Sequence, residues 1–312
     1  MADQAIGGAI ATAPTRPRAR GGTLRHGAIA GLLVGPATFL IFLLLIGPVI
    51  AVIGMSFTDY QLGETTLNFI GLDNYREMIE SDVFWKSLAN TLIYVAVVVP
   101  VSVFLGLGIA LLIESCAIGK AFYRAVYFLP VMATLIAMAI VWSVVLNPDF
   151  GLLNLALRLF GIDGYNWLND PGTALMTICG IGVWQALGFN MVLFMAGLGA
   201  IPRDLYDAAE IDGAASAFDR FRTVTWPLLG PVTMFVVVIT GIRSFQVFDT
   251  VHVLTKGGPN KATEVLIYSV YAEGFEFFRS AYAATLVVVF LIFVMALTVI
   301  KARVIERRVH YG

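Results

Sequence analysis

Residues 202–231 read PRDLYDAAEIDGAASAFDRFRTVTWPLLGP and form a polar interruption in a chain that is otherwise strongly apolar. The stretch opens on Pro202 and acidic side chains. Both favour a helix N-terminus, because proline suits the first turn and carboxylates are stabilised by the positive end of the helix dipole. Gly213 then predicts a stop or a hinge. The first half of the stretch is therefore predicted to be a short helix that ends near Gly213.

The second half of this stretch predicts another short helix, over residues 215–225. Its apolar side chains recur every third residue and predict one apolar stripe: Phe218, Phe221 and Val224. Trp226-Pro227 is expected to end this helix, because a residue before proline disfavours the helical conformation. Two short helices with an apolar face suit a protrusion that docks into a partner's groove. The alternative is a loop that packs on a bilayer surface.

The composition on either side of this stretch is that of a membrane protein. Of the 312 residues 59% are hydrophobic and 13% are charged, whereas soluble domains carry about 25% charged residues. Several apolar runs reach the roughly 20 residues that span a bilayer. We predict an all-α membrane protein with about six spans, near residues 29–56, 88–113, 125–146, 173–200, 231–251 and 281–302. Gly47-Pro48, Pro100 and Pro130 are possible kinks.

Lysine and arginine residues in the connecting segments predict the orientation. They are more numerous on the side that carries both termini and residues 202–230: Arg16, Arg18, Arg20, Arg25, Lys120, Arg124, Arg203, Arg220, Arg222, Lys301, Arg303, Arg307 and Arg308. Fewer lie on the other side: Arg76, Lys86, Arg158, Lys256, Lys261 and Arg279. The positive-inside rule therefore places both termini and residues 202–230 in the cytoplasm.

The chain is predicted to have one membrane domain, residues 28–303, between a disordered cytoplasmic tail over residues 1–27 and a cytoplasmic tail over residues 304–312. A signal peptide is the alternative for the N-terminal part. The first apolar run is longer than the 7–15 residues of a signal-peptide core, so the span is preferred.

Three stretches of sequence resemble the permease subunits of bacterial ABC importers, in particular the sugar-type permeases. The family's loop motif, E-A-A followed by a glycine and a proline ending, has its counterpart in Asp207-Ala208-Ala209, Gly213 and Val224-Thr225-Trp226-Pro227. Two outer stretches are also similar: Phe69 to Tyr75, and Phe248-Asp249 followed by Leu254 to Pro259. The resemblance covers about residues 30–303. Asp207 replaces the usual glutamate, and the interval from Gly213 to Pro227 is one residue longer than in the family pattern.

The resemblance implies that residues 202–230 are a coupling loop that docks on a cytoplasmic ATPase subunit. The residues it assigns to coupling are Asp207, Ala208, Ala209, Glu210, Asp212 and Gly213. It also implies a second homologous permease, two ATPase subunits and an extracytoplasmic solute-binding protein as partners, in a bacterial inner membrane. No Walker A pattern occurs in the sequence. We therefore expect no enzymatic activity and no cofactor in this chain, with ATP and Mg bound by the partner ATPase.

Polar side chains inside the predicted spans are candidates for the substrate pathway, since intramembrane ionisable residues usually face a cavity or a partner. Arg243, Gln246 and Asp249 recur every third residue in the fifth span, with Thr250 beside them, and would share one helix face. The alternative is an internal pair of Arg243 with Asp249. A second group comprises Trp184, Gln185 and Asn190, for which ordinary interhelical hydrogen bonding is the alternative.

The function predicted from these features is import of a carbohydrate or a similar polar solute. The alternative is a secondary transporter coupled to ions or protons, which would use an inverted repeat with discontinuous helices. A membrane enzyme is the third possibility, but no catalytic constellation is apparent. The three histidines and the two cysteines, Cys116 and Cys179, lack metal-ligand spacing, so we expect no metal site. Nothing indicates nucleic-acid binding.

Overall fold

The computed structural model describes residues 22–116 and 118–306, and their side chains over residues 32–116 and 118–296. The described chain is helical, with one isolated β-bridge between Thr58 and Phe69. It divides into two compact units, Met1–Ala51 and Val52–Gly312. Most of the predicted tails, residues 1–21 and 307–312, lies outside the described residues.

The described part of the first unit is a single helical segment. Helix α1 is Gly22–Ile41, so it begins inside the predicted tail, and a π-helical turn, Phe42–Ile46, follows it. Helix α2, Gly47–Met55, starts at the predicted Gly47-Pro48 kink. The amide of Gly47 donates to the carbonyl of Phe42, five residues back. This register shift locates the irregularity in the turn before Pro48. Side chains 32–51 are all exposed or partly exposed.

The second unit contains the remaining helices. They are α3 Asp73–Glu80, α4 Asp82–Ser115, α5 Lys120–Met132, α6 Leu135–Val145, α7 Leu152–Leu159, α8 Ala174–Gly199, α9 Arg203–Ile211, α10 Ala217–Arg220, a π-helical turn Phe221–Thr225, α11 Trp226–Leu228, α12 Gly230–Phe245, α13 Asp249–Leu254, α14 Leu266–Tyr271, a π-helical turn Ala272–Glu276 and α15 Ser280–Glu306.

The predicted spans correspond to these helices. Four described helical segments are long and apolar enough to cross a membrane: Leu32–Met55, Asp82–Ser115, Ala174–Gly199 and Gly230–Leu254. A fifth arises if α5 and α6 are one span, bent by 100°. The sixth predicted span matches α15, whose apolar part with described side chains is Ser280–Ala296.

The sequence predicts a third span with a possible kink at Pro130, and the structure bends this span by 100° between α5 and α6. Pro130 lies inside α5, and the break comes after it, where Ala133 and Thr134 both have extended backbone angles. The two helices have different neighbours, since α5 packs against α8 and α6 against α13. Pro130 signals an irregularity in this span, but neither Ala133 nor Thr134 is a glycine or a proline, so the local sequence does not place the break at these two residues.

The core of the second unit forms where α4 packs along α8. A Cβ atom at Gly106 of α4 would lie 2.8 Å from the Cβ of Asn190 on α8, so this crossing requires a glycine. Small residues allow such close approach of helices in membranes. Apolar side chains fill the interface around it: Val103, Leu107, Ala110, Met191 and Phe194 are all buried.

The fifth span is interrupted instead of continuous. Helix α12 ends at Phe245 and α13 begins at Asp249, with Gln246 to Phe248 non-helical between them. Phe248 has backbone angles of −140° and −60°. Irregular backbone at membrane depth is tolerated where it is buried in protein or lines a cavity. The interruption is therefore a candidate position for a functional site.

Candidate functional site

A cavity of about 320 Å³ opens beside the interruption of the fifth span. Helices α4, α5, α6, α8, α12 and α13 contribute its walls. Among the residues predicted for the substrate pathway, the cavity brings together Gln185, Asn190, Arg243, Gln246 and Asp249. Trp184 is not part of its lining. We refer to this space as the central cavity.

Arg243 lies in the last turn of α12 with an exposed side chain. Its guanidinium carbon is 4.2 Å from the centre of the Phe189 ring, in cation–π geometry. Within the described residues, neither Arg243 nor Asp249 takes part in an ion pair. The internal pair considered from the sequence is therefore not formed, and both charged groups are available to the cavity.

The reason why these polar residues converge differs from the one the sequence suggests. A shared face at three-residue spacing requires a continuous helix, and α12 ends between Arg243 and Asp249. They meet because Gln246 lies in the turn that connects the two helices, whereas Asp249 opens α13. The spacing argument was wrong for this segment. The residues it selected nevertheless line one cavity.

Asn190 lies deep in the wall of the central cavity and is fully buried. Its side-chain amide donates to the Ser102 hydroxyl at 3.1 Å, and its carbonyl oxygen accepts from the Thr240 hydroxyl at 2.7 Å. One side chain thus links α8 to both α4 and α12. This geometry favours the alternative that Asn190 is interhelical glue.

Trp184 contacts another aromatic ring outside the cavity. Its ring packs edge-on against Trp142 of α6, with ring centres 5.3 Å apart and an interplanar angle of 84°. This contact holds α6 against α8. An aromatic residue in an apolar span has the same sequence signature whether it faces a solute or another helix, so sequence reasoning could not separate the two.

Sequence reasoning missed the aromatic lining of the cavity: Tyr94, Phe189 and Phe248. Phe248 belongs to an aromatic cluster next to the cavity. Its ring stacks on His252 at 5.1 Å and meets Tyr271 edge-on at 5.1 Å. The only available signal was the position of Phe248 beside Asp249, because nothing else distinguishes it from the other phenylalanines.

The predicted coupling loop forms two short helices with a turn between them. In α9, the side chains of Asp207, Ala208 and Glu210 are exposed and Ala209 is partly exposed. Asp212 and Gly213 follow, both exposed. Gly213 has φ of +97°, a left-handed conformation that favours glycine. Of the six residues assigned to coupling, all but Ala209 are thus exposed, and Ala209 is partly exposed.

The second helix of the loop differs from its prediction. The predicted apolar stripe does not form one buried face, because Phe218 is 69% exposed whereas Val224 is 8% exposed. Trp226-Pro227 does not end the helix either. The amide of Trp226 donates to the Phe221 carbonyl, five residues back, and this π-helical register accommodates the missing amide of Pro227. The helical path therefore continues through α11 towards α12.

The loop after α13, residues 255–264, is tied to α4. Asn90 donates to the carbonyls of Lys261 and Glu264, at 3.2 and 2.8 Å. Thr91 accepts a hydrogen bond from the Leu266 amide at 2.9 Å. Glu264 is itself buried and bonded to Ser269 at 3.0 Å. These bonds fix the loop that follows the C-terminal end of α13.

Comparisons with curated proteins point to transport permeases. The sn-glycerol-3-phosphate transport system permease protein UgpA of Agrobacterium fabrum is 34% identical over 282 residues, which cover 90% of this chain and 96% of that protein. The trehalose/maltose transport system permease protein MalF of Thermococcus litoralis is 34% identical over 253 residues, 80% of this chain and 85% of that protein.

A solved structure has the same fold. It is a bacterial ABC transporter involved in the import of the acidic polysaccharide alginate, matched with a TM-score of 0.79 and 20% identity over 92% of this chain and 98% of that chain. The family described as binding-protein-dependent transport system inner membrane component matches residues 84–311. The chain therefore belongs to this family, the permease subunits of ABC importers, in which a separate subunit hydrolyses ATP.

Proposed function

We propose that this chain imports a carbohydrate or a similar polar solute through the central cavity. The observation that carries this proposal is that an interrupted membrane span presents Arg243, Gln246 and Asp249 to one cavity without an ion pair between the charges. Relatives named for glycerol phosphate, for trehalose or maltose and for sulfoquinovosyl glycerol support a polyhydroxylated solute.

The proposed roles follow from the chemistry of the lining. Gln185, Gln246 and Asp249 supply donors and acceptors that replace the hydration of sugar hydroxyls. Phe189 and Phe248 add aromatic lining that suits the C–H surface of a pyranose. A volume of about 320 Å³ lies at the lower end of the range for small-molecule sites. An interrupted span is also what a secondary transporter would use, but the family match supports ATP-driven import.

Residues 202–230 are proposed to be the coupling loop that docks on a cytoplasmic ATPase, through Asp207, Ala208, Ala209, Glu210, Asp212 and Gly213. Their exposure on α9 and its following turn supports this role. Two ATPase subunits, which bind ATP and Mg, would drive transport together with a second homologous permease and an extracytoplasmic solute-binding protein. Residues 28–303 would form the membrane domain. The segments before and after it in the sequence, residues 1–27 and 304–312, would both lie in the cytoplasm.

An uptake assay tests the proposed solute pathway. The complex with its ATPase, second permease and binding protein is placed in proteoliposomes with ATP inside. Uptake of radiolabelled maltose, trehalose and sn-glycerol 3-phosphate is then measured. We expect ATP-dependent uptake of at least one probe, and about a tenfold loss in Gln246→Ala, since a polar solute group would lose its partner.

The matched control is Gln61→Ala, which removes the same amide from an exposed outer position. We expect it to leave uptake unchanged. Uptake that follows a proton gradient without ATP would contradict the importer. Equal uptake by Gln246→Ala and the parent would contradict the assigned pathway.

A further inference from the structure

A hydrogen bond joins the first helix of the coupling loop to the base of α12. The Tyr206 hydroxyl, on α9, lies 3.0 Å from the Thr225 hydroxyl. Thr225 is only 5% exposed and Tyr206 is partly buried. The bond is therefore shielded from water in part, and it spans nineteen residues of sequence.

Thr225 is the last residue of the π-helical turn that leads into α11 and α12. Its carbonyl accepts from the Leu229 amide at 2.9 Å, and the Leu229 carbonyl accepts from the Thr233 amide at 2.7 Å. From there α12 runs to Phe245, the residue before the interruption at the central cavity. A chain of backbone hydrogen bonds thus connects Thr225 to the wall that carries Arg243. π-Helical turns recur at functional sites.

The other bond between the two loop helices is more exposed. Arg220 pairs with Glu210 at 3.3 Å, and their side chains are 35% and 64% exposed. Exposed ion pairs of this kind contribute little because water and salt screen them. The Thr223 hydroxyl, in the same π-helical turn as Thr225, donates only within its own segment, to the Asp219 carbonyl at 2.7 Å. The Tyr206–Thr225 hydrogen bond is therefore better shielded from water than the Arg220–Glu210 ion pair.

We propose that the Tyr206–Thr225 hydrogen bond is the contact that transmits movement of the docked loop to α12 and so to the central cavity. The inference rests on the proposed coupling function of residues 202–230. Tyr206 and Thr225 are positioning residues in this account, because neither lines the cavity nor belongs to the residues assigned to docking. Losing the bond should uncouple the cavity from ATP while leaving the ATPase docked.

The experiment measures how accessible the cavity is, by labelling a single reporter thiol in its wall. Cys116 and Cys179 are replaced by Ser and Ala, and Ala186→Cys puts the thiol in the cavity wall. The full complex is reconstituted, and the rate at which a hydrophilic maleimide labels the thiol is compared with Mg-ATP plus vanadate and without nucleotide. Basal ATP hydrolysis and co-purification of the ATPase are measured on the same samples.

We expect Tyr206→Phe to keep the ATPase bound and hydrolysing. The nucleotide-dependent change in labelling rate should fall about two- to tenfold, the scale of one hydrogen bond. Thr225→Val should do the same, and the double variant should be no worse than either. Thr225→Ser keeps a hydroxyl and should restore the change. Thr223→Val removes the neighbouring hydroxyl and should leave the nucleotide-dependent change in labelling rate intact.

Two results separate the failure of this inference from the failure of the coupling function. If Tyr206→Phe and Thr225→Val keep the full change whereas Asp207→Arg abolishes it, the loop couples but this bond does not transmit. If Asp207→Arg also leaves the change intact, the coupling assignment itself is wrong. An additive loss in the double variant would overturn the inference as well. Should Tyr206→Phe fail to assemble, Thr225→Val and Thr225→Ser test the same bond.

Discussion

At the residue scale, a substitution of Asn190 tests whether this side chain serves helix packing or binds the solute. Its side-chain amide bonds both the Ser102 and the Thr240 hydroxyl. Asn190→Ala should leave the buried Thr240 hydroxyl without this partner and Ser102 with only its bond to the Val99 carbonyl, and so lower stability by about 1–2 kcal/mol. Thermal unfolding of the detergent-solubilised complex measures this. Asn169→Ala, at an exposed position, is the control. An Asn190→Ala chain of normal stability that cannot transport would instead make Asn190 a solute ligand.

Among individual residues, the sequence identified the polar lining of the cavity but not its aromatic lining. Polar types inside apolar runs are rare enough that Gln185, Gln246 and Asp249 could be selected, because burying them in lipid is costly. The aromatic residues could not be sorted in this way. Trp184 packs on Trp142, whereas Phe189 and Phe248 reach the cavity, and only tertiary structure separates these environments.

At the element scale, the crossing of α4 and α8 depends on a glycine. A Cβ at Gly106 would lie 2.8 Å from the Asn190 Cβ and 3.1 Å from the Met191 amide nitrogen. Gly106→Ala should therefore overpack the crossing and cost about 1–3 kcal/mol, measured by thermal unfolding. Gly108→Ala, two residues along, meets nothing within 4 Å and should be neutral. Equal unfolding temperatures for the two variants would mean that α4 does not approach α8 as closely as described.

Helices as elements were predictable, whereas their breaks were predictable only in part. Gly47-Pro48 and Pro130 marked irregular spans, but nothing marked the interruption of the fifth span. Apolar runs of bilayer length predict spans directly, since every backbone group must be satisfied inside the segment. The bend at Ala133 and Thr134 and the interruption at Gln246 to Phe248 contain no proline or glycine. Both depend on which neighbours each half packs against. The π-helical turn before Trp226 likewise overrode the local rule that a residue before proline ends a helix.

At the scale of the whole molecule, we propose that one series of contacts within the chain connects the loop to the cavity. The exposed surface of α9 lies at one end, α12 leads away from the base of the loop, and the central cavity lies beside the end of α12. The loop motif and the outer stretches allowed the family to be predicted from the sequence. The path through Tyr206 and Thr225 required coordinates, because residues nineteen apart carry no mark of their contact.

Assembly should depend on the loop. Gly213 has φ of +97°, and a β-branched side chain is strained in that conformation. We therefore expect Gly213→Val to distort the turn after α9 and to reduce co-purification of the ATPase with this chain in mild detergent. Gly63→Val, at φ of +98° in the loop before α3, applies comparable strain away from the proposed docking surface. Equal ATPase recovery in the two variants would argue against a docking role for the turn.

We propose that a separate ATPase drives this permease through residues 202–230. The most direct test is the ATPase rate of the reconstituted complex, with and without its solute-loaded binding protein, for the parent and for Asp207→Arg. We expect the binding protein to stimulate ATP hydrolysis in the parent complex but not in Asp207→Arg, because this substitution reverses a charge on the docking surface. Undiminished stimulation in Asp207→Arg and in Gly213→Val would contradict it.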